Sequence, residues 1–147
     1  MRAIIPVAGV GTRLRPHTHT LPKVLLNVAG KPILGHILDK LIEEGITAAT
    51  IIVGYMGELV ESYVREHFVL DVDFIQQPVR EGLGHSVFLA SDALGDEPVL
   101  IILGDTIFEV DLRPVLAGQH SSLGVKSVED PRRFGVVEMD GDVVRHL

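Results

Sequence analysis

The chain contains no cysteine and no tryptophan, and aromatic residues make up only 5% of its 147 residues. Without cysteine the protein has neither disulfides nor thiolate metal ligands, and its seven histidines show no spacing typical of a zinc site. Two of them lie in "HTHT" (His17–Thr20), which lacks a third ligand and is expected to be a solvated loop. Any metal ion must therefore be bound by oxygen.

Long apolar runs are absent as well. No stretch approaches the roughly 20 apolar residues that span a bilayer, and the start "MRAIIPVAG" lacks the apolar segment and cleavage site of a signal peptide. We therefore expect a cytoplasmic protein with no membrane partner. The length and the 46% hydrophobic content predict one globular domain over residues 1–147.

Acidic residues are missing from residues 1–38, although the formal net charge of the chain is -7. The remainder holds all 20 acids, whereas the opening stretch holds five basic residues, namely Arg2, Arg13, Arg15, Lys23 and Lys31. A nucleic-acid-binding protein usually has a high pI, but the pI here is about 5.4. The charge pattern favours a small polyanionic ligand over nucleic acid.

Short runs rich in Ile and Val alternate with helical periods. Buried strands are predicted at 2–7, 49–54, 72–77 and 98–105, and apolar stripes in 33–42, 59–64 and 87–94 predict helices between them. This pattern predicts a doubly wound, mostly parallel, Rossmann-like α/β sheet with helices on both faces, which binds ligands at the carboxyl ends of its strands. A further strand is expected at 123–128, and a hairpin of 134–139 and 142–147 around Asp140-Gly141.

The loop "VAGVGTRLRPHTHTLPK" follows the first predicted strand. Gly9 and Gly11 would let backbone N–H groups approach a ligand, and Arg13 and Lys23 can neutralise phosphate oxygens. The loop lacks the Gly-Lys-Ser/Thr of a Walker loop, and Leu14 stands where the dinucleotide fingerprint has its third glycine. A phosphate-binding loop is therefore predicted, with a glycine turn and solvated arginines as the alternative.

Four segments, in order along the chain, resemble sugar-1-phosphate nucleotidyltransferases, the nucleoside-diphosphate-sugar pyrophosphorylases. The resemblance includes the glucose-1-phosphate thymidylyl- and uridylyltransferases. The segments are "AGVGTRLRPHTHTLPKVLLNVAGKPIL" (8–34), "QQPVREGLGHS" (76–86), "ILGDTIF" (102–108) and "VEDPRRFGVVEMDG" (128–141).

The resemblance implies an activity and roles for particular residues. The enzymes of this family transfer a nucleoside monophosphate from a nucleoside triphosphate, here dTTP or UTP, to a sugar 1-phosphate with release of pyrophosphate. By position, Arg13 would grip the triphosphate, Lys23 would hold the sugar phosphate, and Asp105 would bind Mg²⁺. The nucleotide would contact the backbone of the opening loop at Ala8, Gly9, Gly11 and Thr12.

The resemblance also implies which residues contact the base and the sugar. Gln77 resembles the glutamine that reads uracil or thymine, Gly82 would present backbone to the base, and Gly135 would contact the sugar. Each position has a plainer alternative: Gln77 as a surface turn residue, Asp105 as a turn after a strand, Gly135 as a glycine at a strand start. His85 is left out of the catalytic set, because a histidine at a helix start can be purely structural.

Members of the family typically continue well beyond this length, with a Glu-Lys-Pro segment and a second metal-binding aspartate. The resemblance therefore implies an amino-terminal, nucleotide-binding portion with little turnover alone, and uncovered apolar sheet surface favours self-association. A non-catalytic nucleotide-binding or regulatory module and a nucleic-acid-binding domain are the alternatives. The sugar, the choice between dTTP and UTP, and the oligomeric state stay open.

Overall fold

The computed structural model describes residues 1–79, 81–94 and 97–146, and within these ranges the side chains of residues 13, 93 and 133 are outside the description. The chain forms two compact units, Met1–Arg113 and Pro114–Leu147. The first unit contains, in order, β1 (Arg2–Pro6), β2 (Asn27–Val28), β3 (Lys31–Pro32), α1 (Ile33–Glu43), β4 (Ala48–Val53), α2 (Gly57–His67), β5 (Asp71–Gln76), α3 (Leu83–Leu89) and β6 (Val99–Ile101).

Four of these strands form a parallel sheet in the order β5-β4-β1-β6. The two central strands are almost entirely apolar, as expected for strands covered on both faces, and their residues Ile4, Ile5, Ile51 and Ile52 have no exposed surface. The apolar stripe of α1 packs the same way, with Leu34, Leu38 and Leu41 fully buried. The prediction of parallel strands alternating with helices is confirmed.

The strand order reverses direction at β1. The chain moves outward from β1 to β4 and β5, and then returns to place β6 on the other side of β1. The strands that follow β1 and β5 in the chain, β4 and β6, therefore lie on opposite sides of β1, which makes the carboxyl ends of β1 and β6 a topological switch point. Such a switch point is where open α/β sheets bind ligands.

Two predicted boundaries in the first unit are wrong. The expected strand at 98–105 covers only Val99–Ile101, although the Ile102 and Gly104 amides continue the pairing beyond it by donating to the Ile4 and Pro6 carbonyls at 3.0 and 3.3 Å. The stripe expected to continue to Leu94 belongs to α3 only up to Leu89, followed by a single 3-10 turn over Ser91–Ala93.

The second unit is described separately. α4 (Arg113–Leu116) begins at the boundary, a 3-10 turn covers Pro131–Arg133, and β7 (Glu138–Asp140) pairs with β8 (Val143–His146) as the predicted hairpin. Its first strand begins at Glu138 and not at residue 134 as predicted. The predicted strand at 123–128 is wrong: those residues are exposed and, in the described part of the chain, pair with no strand. A β-propensity run without a partner cannot satisfy its backbone groups as a strand.

None of the helices in the described ranges is long and apolar enough to cross a membrane.

Candidate active site

A cleft of about 360 Å³ lies at the switch point of the sheet. Its walls come from four segments of the first unit: 6–9 after β1, 103–105 after β6, Lys23 and Val24 from the opening loop, and Gln77 with Gly82, Leu83 and Ser86 around the start of α3. The position follows from the topology, because the carboxyl ends of β1 and β6 form its floor.

The opening loop folds back on itself to bring Lys23 to this cleft. Gly11 adopts a left-handed conformation (φ 64°), and an added Cβ would lie 3.0 Å from the Cβ of Lys23 and 3.0 Å from Thr18 Cγ2. Thr18 is only 3% exposed, and its hydroxyl donates to the Gly11 carbonyl at 2.9 Å. The prediction of a solvated "HTHT" loop is therefore wrong for Thr18, which ties the two ends of the loop together.

We expect Thr18→Val to lower the free energy of unfolding by about 1 kcal/mol, because the isosteric side chain cannot donate to Gly11. Urea denaturation measures this change. Thr20→Val is the matched control, since Thr20 is an exposed residue of the same loop. Equal effects of the two substitutions would contradict a specific role for the Thr18 hydroxyl.

Lys23 and Asp105 meet in the cleft. Lys23 Nζ lies 2.6 Å from Asp105 Oδ2, and the two side chains are 30% and 47% exposed. An ion pair this exposed contributes little net stability, so either partner can exchange it for a ligand at small cost. One cation and one carboxylate therefore lie side by side in the cleft.

Gln77 stands on the opposite wall in a network of hydrogen bonds. Its side chain is buried (5% exposed), its Oε1 accepts a 2.6 Å hydrogen bond from Ser86 Oγ, and its Nε2 lies 3.1 Å from Nδ1 of His85. The His85 ring in turn lies 3.7 Å from the carboxylate of Glu81 through Nε2. Gln77 is therefore not the surface turn residue of the alternative interpretation.

The structure brings together six of the predicted site residues and leaves others apart. Lining the cleft are Ala8, Gly9, Lys23, Gln77, Gly82 and Asp105. Gly11 and Thr12 do not line it, although Gly11 packs against Lys23. The side chain of Arg13 lies outside the described residues. Gly135 belongs to the second unit, and its role stays a prediction.

The excess of basic residues in 1–38 is only partly a feature of the cleft. Arg2 pairs with Asp73 and Asp71 at 2.8 and 2.9 Å, at the amino end of the sheet. Lys31 pairs with Asp39 on α1. Of the basic residues in this stretch whose side chains are described, Lys23 alone lines the cleft. The prediction of a polyanionic ligand from the charge count therefore rested partly on basic residues that have structural roles.

Sequence reasoning missed Ser86 and left out His85. Both belong to α3, whose start is set by Gly82 with φ 97°, a conformation that favours glycine. Ser86 is the fourth residue after Gly82, and its backbone N–H donates to the Gly82 carbonyl at 3.2 Å. The motif "EGLGHS" contains the glycine that precedes the helix, but only the observed start of α3 shows which side chains face Gln77.

A metal ion fits the cleft only in a limited way. Within the described ranges no group of three or more His, Asp or Glu residues could hold a metal ion, and Asp105 is the one carboxylate that lines the cleft. Magnesium is commonly held by one or two carboxylates together with substrate phosphates and waters. The donor set therefore suits an ion that arrives with a phosphate ligand rather than a preformed metal site.

A family model described as "Nucleotidyl transferase" matches residues 2–147. The chain belongs to this nucleotidyl transferase family. Among curated proteins, the chain is 41% identical over 142 residues to the bifunctional protein GlmU of Methanocaldococcus jannaschii, covering 97% of the chain and 34% of that protein. It is 37% identical over 121 residues to the UTP–glucose-1-phosphate uridylyltransferase AglF of Haloferax volcanii, covering 82% of the chain and 49% of that protein.

Solved structures share the fold. A Bacillus anthracis protein, described as a glucose-1-phosphate thymidylyltransferase in complex with sucrose, matches with a TM-score of 0.88 and 33% identity over 98% of this chain and 62% of that one. HddC from Yersinia pseudotuberculosis, complexed with GMP-PN, matches with a TM-score of 0.82 and 25% identity over 98% of this chain and 67% of that one. The predicted family and fold class are confirmed, and the chain spans about a third of the length of the GlmU proteins it matches.

Proposed function

We propose that the cleft binds a pyrimidine nucleoside triphosphate, dTTP or UTP, and serves the transfer of its nucleoside monophosphate to a sugar 1-phosphate. The observation that carries this proposal is that one cleft holds Lys23, Asp105 and Gln77, a cation, a carboxylate and a buried amide. Family membership supports the reaction class. The activity of the whole protein remains part of the proposal.

The proposed reaction is a displacement at phosphorus. A phosphate oxygen of the sugar 1-phosphate attacks the α-phosphorus, a new P–O bond forms, and the bond to the bridging oxygen breaks with its electron pair leaving on pyrophosphate. Positioning and charge neutralisation provide most of the catalysis in such transfers. A cleft that offers one mobile cation beside one carboxylate suits this work.

Lys23 and Asp105 have complementary roles in this proposal. Lys23 Nζ releases Asp105 and binds the attacking phosphate, holding it in line with the α-phosphorus. Asp105 would then hold Mg²⁺ that arrives with the triphosphate, and the ion would neutralise charge on the phosphate oxygens. The 2.6 Å contact between the two side chains supports this exchange, because both already reach the same point.

Nucleotide contacts are proposed for the remaining residues of the opening loop. Nothing lies within 4 Å of the position of an added Cβ at Gly9, so the backbone there is open to a ligand. Ala8, Gly11 and Thr12 complete the loop that contacts the nucleotide. Arg13 is proposed to steady the departing pyrophosphate, and Gly135 to contact the sugar.

Gln77 is proposed to read the base. A primary amide offers both donors and acceptors, which complement the N–H and carbonyl groups on the edge of uracil or thymine. Its burial supports the role, because a buried amide imposes a cost on any base that leaves it unpaired.

We expect UTP and dTTP to bind more tightly than ATP and GTP in the presence of Mg²⁺, and Gln77→Ala to reduce this discrimination by roughly 10-fold or more. Isothermal titration calorimetry measures the four affinities. Gln76→Ala is the matched control, because Gln76 is the adjacent glutamine and bonds the Gly54 carbonyl at 3.3 Å instead of lining the cleft. Tighter binding of ATP or GTP by the wild-type chain would refute the proposed base.

A further inference from the structure

Gln77 has two alternative hydrogen-bonding arrangements with the same neighbours. In the observed arrangement, Ser86 Oγ donates to Gln77 Oε1 at 2.6 Å and Gln77 Nε2 donates to His85 Nδ1 at 3.1 Å. Nδ1 can accept only when the imidazole is neutral and carries its proton on Nε2. The direction of the Gln77 amide is therefore coupled to the protonation of His85.

Protonation of His85 makes the observed arrangement unfavourable. The imidazolium donates from both ring nitrogens, so the Nδ1–H group would face the Nε2 donor of Gln77. Rotation of the amide by 180° removes this conflict, because Oε1 then accepts from Nδ1–H and Nε2 donates to Ser86 Oγ.

Ser86 can serve both arrangements. Its Oγ also lies 3.4 Å from the Gly82 carbonyl, so the hydroxyl proton can turn there when Oγ accepts from the amide. Every polar atom of the group then keeps a partner. Two fully paired states that differ only in the amide direction are a two-state element of the kind that a single proton can bias.

Three charged groups lie near His85 or in the cleft beside it. The carboxylate of Glu81 lies 3.7 Å from Nε2. Lys23 and Asp105 line the same cleft but pair with each other. Among the described residues that line the cleft or contact the ring, these are the charged groups, and Glu81 is the one beside the ring.

Reversal of the Gln77 amide changes which pyrimidine base the amide complements. Uracil and thymine present an O4 acceptor beside an N3–H donor, whereas cytosine presents an N4 amino donor beside an N3 acceptor. These two patterns are inversions of each other. An amide whose remaining donor and acceptor match one pattern therefore matches the other after rotation.

We propose that His85 and Ser86 set the direction of the Gln77 side-chain amide, so that protonation of His85 reverses the amide and weakens the preference for uracil or thymine over cytosine. The proposal rests on the proposed function, in which Gln77 contacts the base. His85 and Ser86 are positioning residues: they act through Gln77 and need no contact with the nucleotide.

The test compares UTP with CTP, which carry the same phosphates, so that the ratio of their dissociation constants isolates the base edge. We expect this preference for UTP to fall by about 10-fold or more between about pH 8.5 and about pH 6, the range in which imidazoles gain a proton. Calorimetric titrations of the full chain at several pH values measure it. A ratio that stays constant within about twofold overturns the proposal.

Variants separate this coupling from a general effect of pH. His85→Asn keeps an acceptor close to the position of Nδ1 but does not titrate, so it should retain the preference without the pH dependence. Ser86→Ala should weaken the preference throughout the range. His67→Asn is the control, because His67 is a helical histidine outside the cleft whose Nδ1 lies 2.9 Å from the Tyr63 carbonyl. An unchanged pH profile in His85→Asn overturns the proposal.

A measurement without nucleotide keeps the proposal distinct from the proposed function. ¹⁵N NMR of the free chain should show His85 with its proton on Nε2 at high pH, and the side-chain amide signals of Gln77 should shift with the same midpoint as the His85 ring. Amide signals that do not follow the ring overturn the proposal. If they follow it while UTP binds no better than ATP, the proposed function fails and the coupled network stands.

Discussion

Replacing Asp105 with asparagine, in a chain extended to the length of its curated relatives, is expected to lower the rate of pyrophosphate release by roughly 100-fold or more, the scale expected when a positioned electrostatic group is lost. The substitution preserves shape but removes the negative charge that lies 2.6 Å from Lys23 Nζ. A neutral amide is a far weaker ligand for Mg²⁺ than a carboxylate. The assay contains UTP or dTTP, glucose 1-phosphate and Mg²⁺.

A binding readout distinguishes this role from damage to the fold. Without metal, Asp105→Asn leaves Lys23 free for phosphate, so UTP should bind more tightly than it does to the wild-type chain. Addition of Mg²⁺ should then increase UTP affinity much less than in the wild type. Lys23→Ala should give the crossed result, with weaker metal-free binding and a retained increase on addition of Mg²⁺.

Asp111→Asn is the matched control, since Asp111 pairs with Arg113 and does not line the cleft. It should leave both UTP binding and its Mg²⁺ dependence unchanged. An Asp105→Asn protein that keeps the full response of UTP affinity to Mg²⁺ would contradict the role of Asp105 as a metal ligand.

The sheet was predictable because its signal is local. The central strands β1 and β4 are buried on both faces, so nearly every residue is apolar and the run is visible without knowledge of its neighbours. The stripe of α1 is equally clear, since Leu34, Leu38 and Leu41 recur at helical spacing. The alternation of these elements was sufficient to predict a parallel sheet and a site at its carboxyl edge.

Pairings between distant residues were not predictable from the residues alone. Arg2 appeared as one of several cations near a ligand loop, but the registers of β1 against β4 and of β4 against β5 place it beside Asp71 and Asp73. The network of Gln77 with Ser86 depends on where α3 starts. The resemblance to a known family assigned Gln77, but it carried no information on the groups that orient its amide.

Gly104→Ala is expected to lower the free energy of unfolding by about 3 kcal/mol, near the upper end of the range for overpacking a core. An added Cβ would overlap the Val7 side chain and lie 2.9 Å from the Pro6 carbonyl oxygen, a backbone atom that cannot move aside without shifting β1. Gly104 also donates its N–H to that carbonyl at 3.3 Å, so the same substitution strains the end of the ladder.

The consequence for the site follows from the position of Gly104 immediately before Asp105. A shift of the β6 end away from Pro6 would carry the carboxylate away from Lys23, so UTP binding in Mg²⁺ should weaken even under conditions where the variant stays folded. Urea denaturation and calorimetry measure the two effects. Gly84→Ala is the control, because nothing lies within 4 Å of its added Cβ and the residue is in α3, where alanine should stabilise the helix by about 0.5–1 kcal/mol. If Gly104→Ala has the same free energy of unfolding and the same UTP affinity as the wild type, the close approach of β1 and β6 is not what holds Asp105 in place.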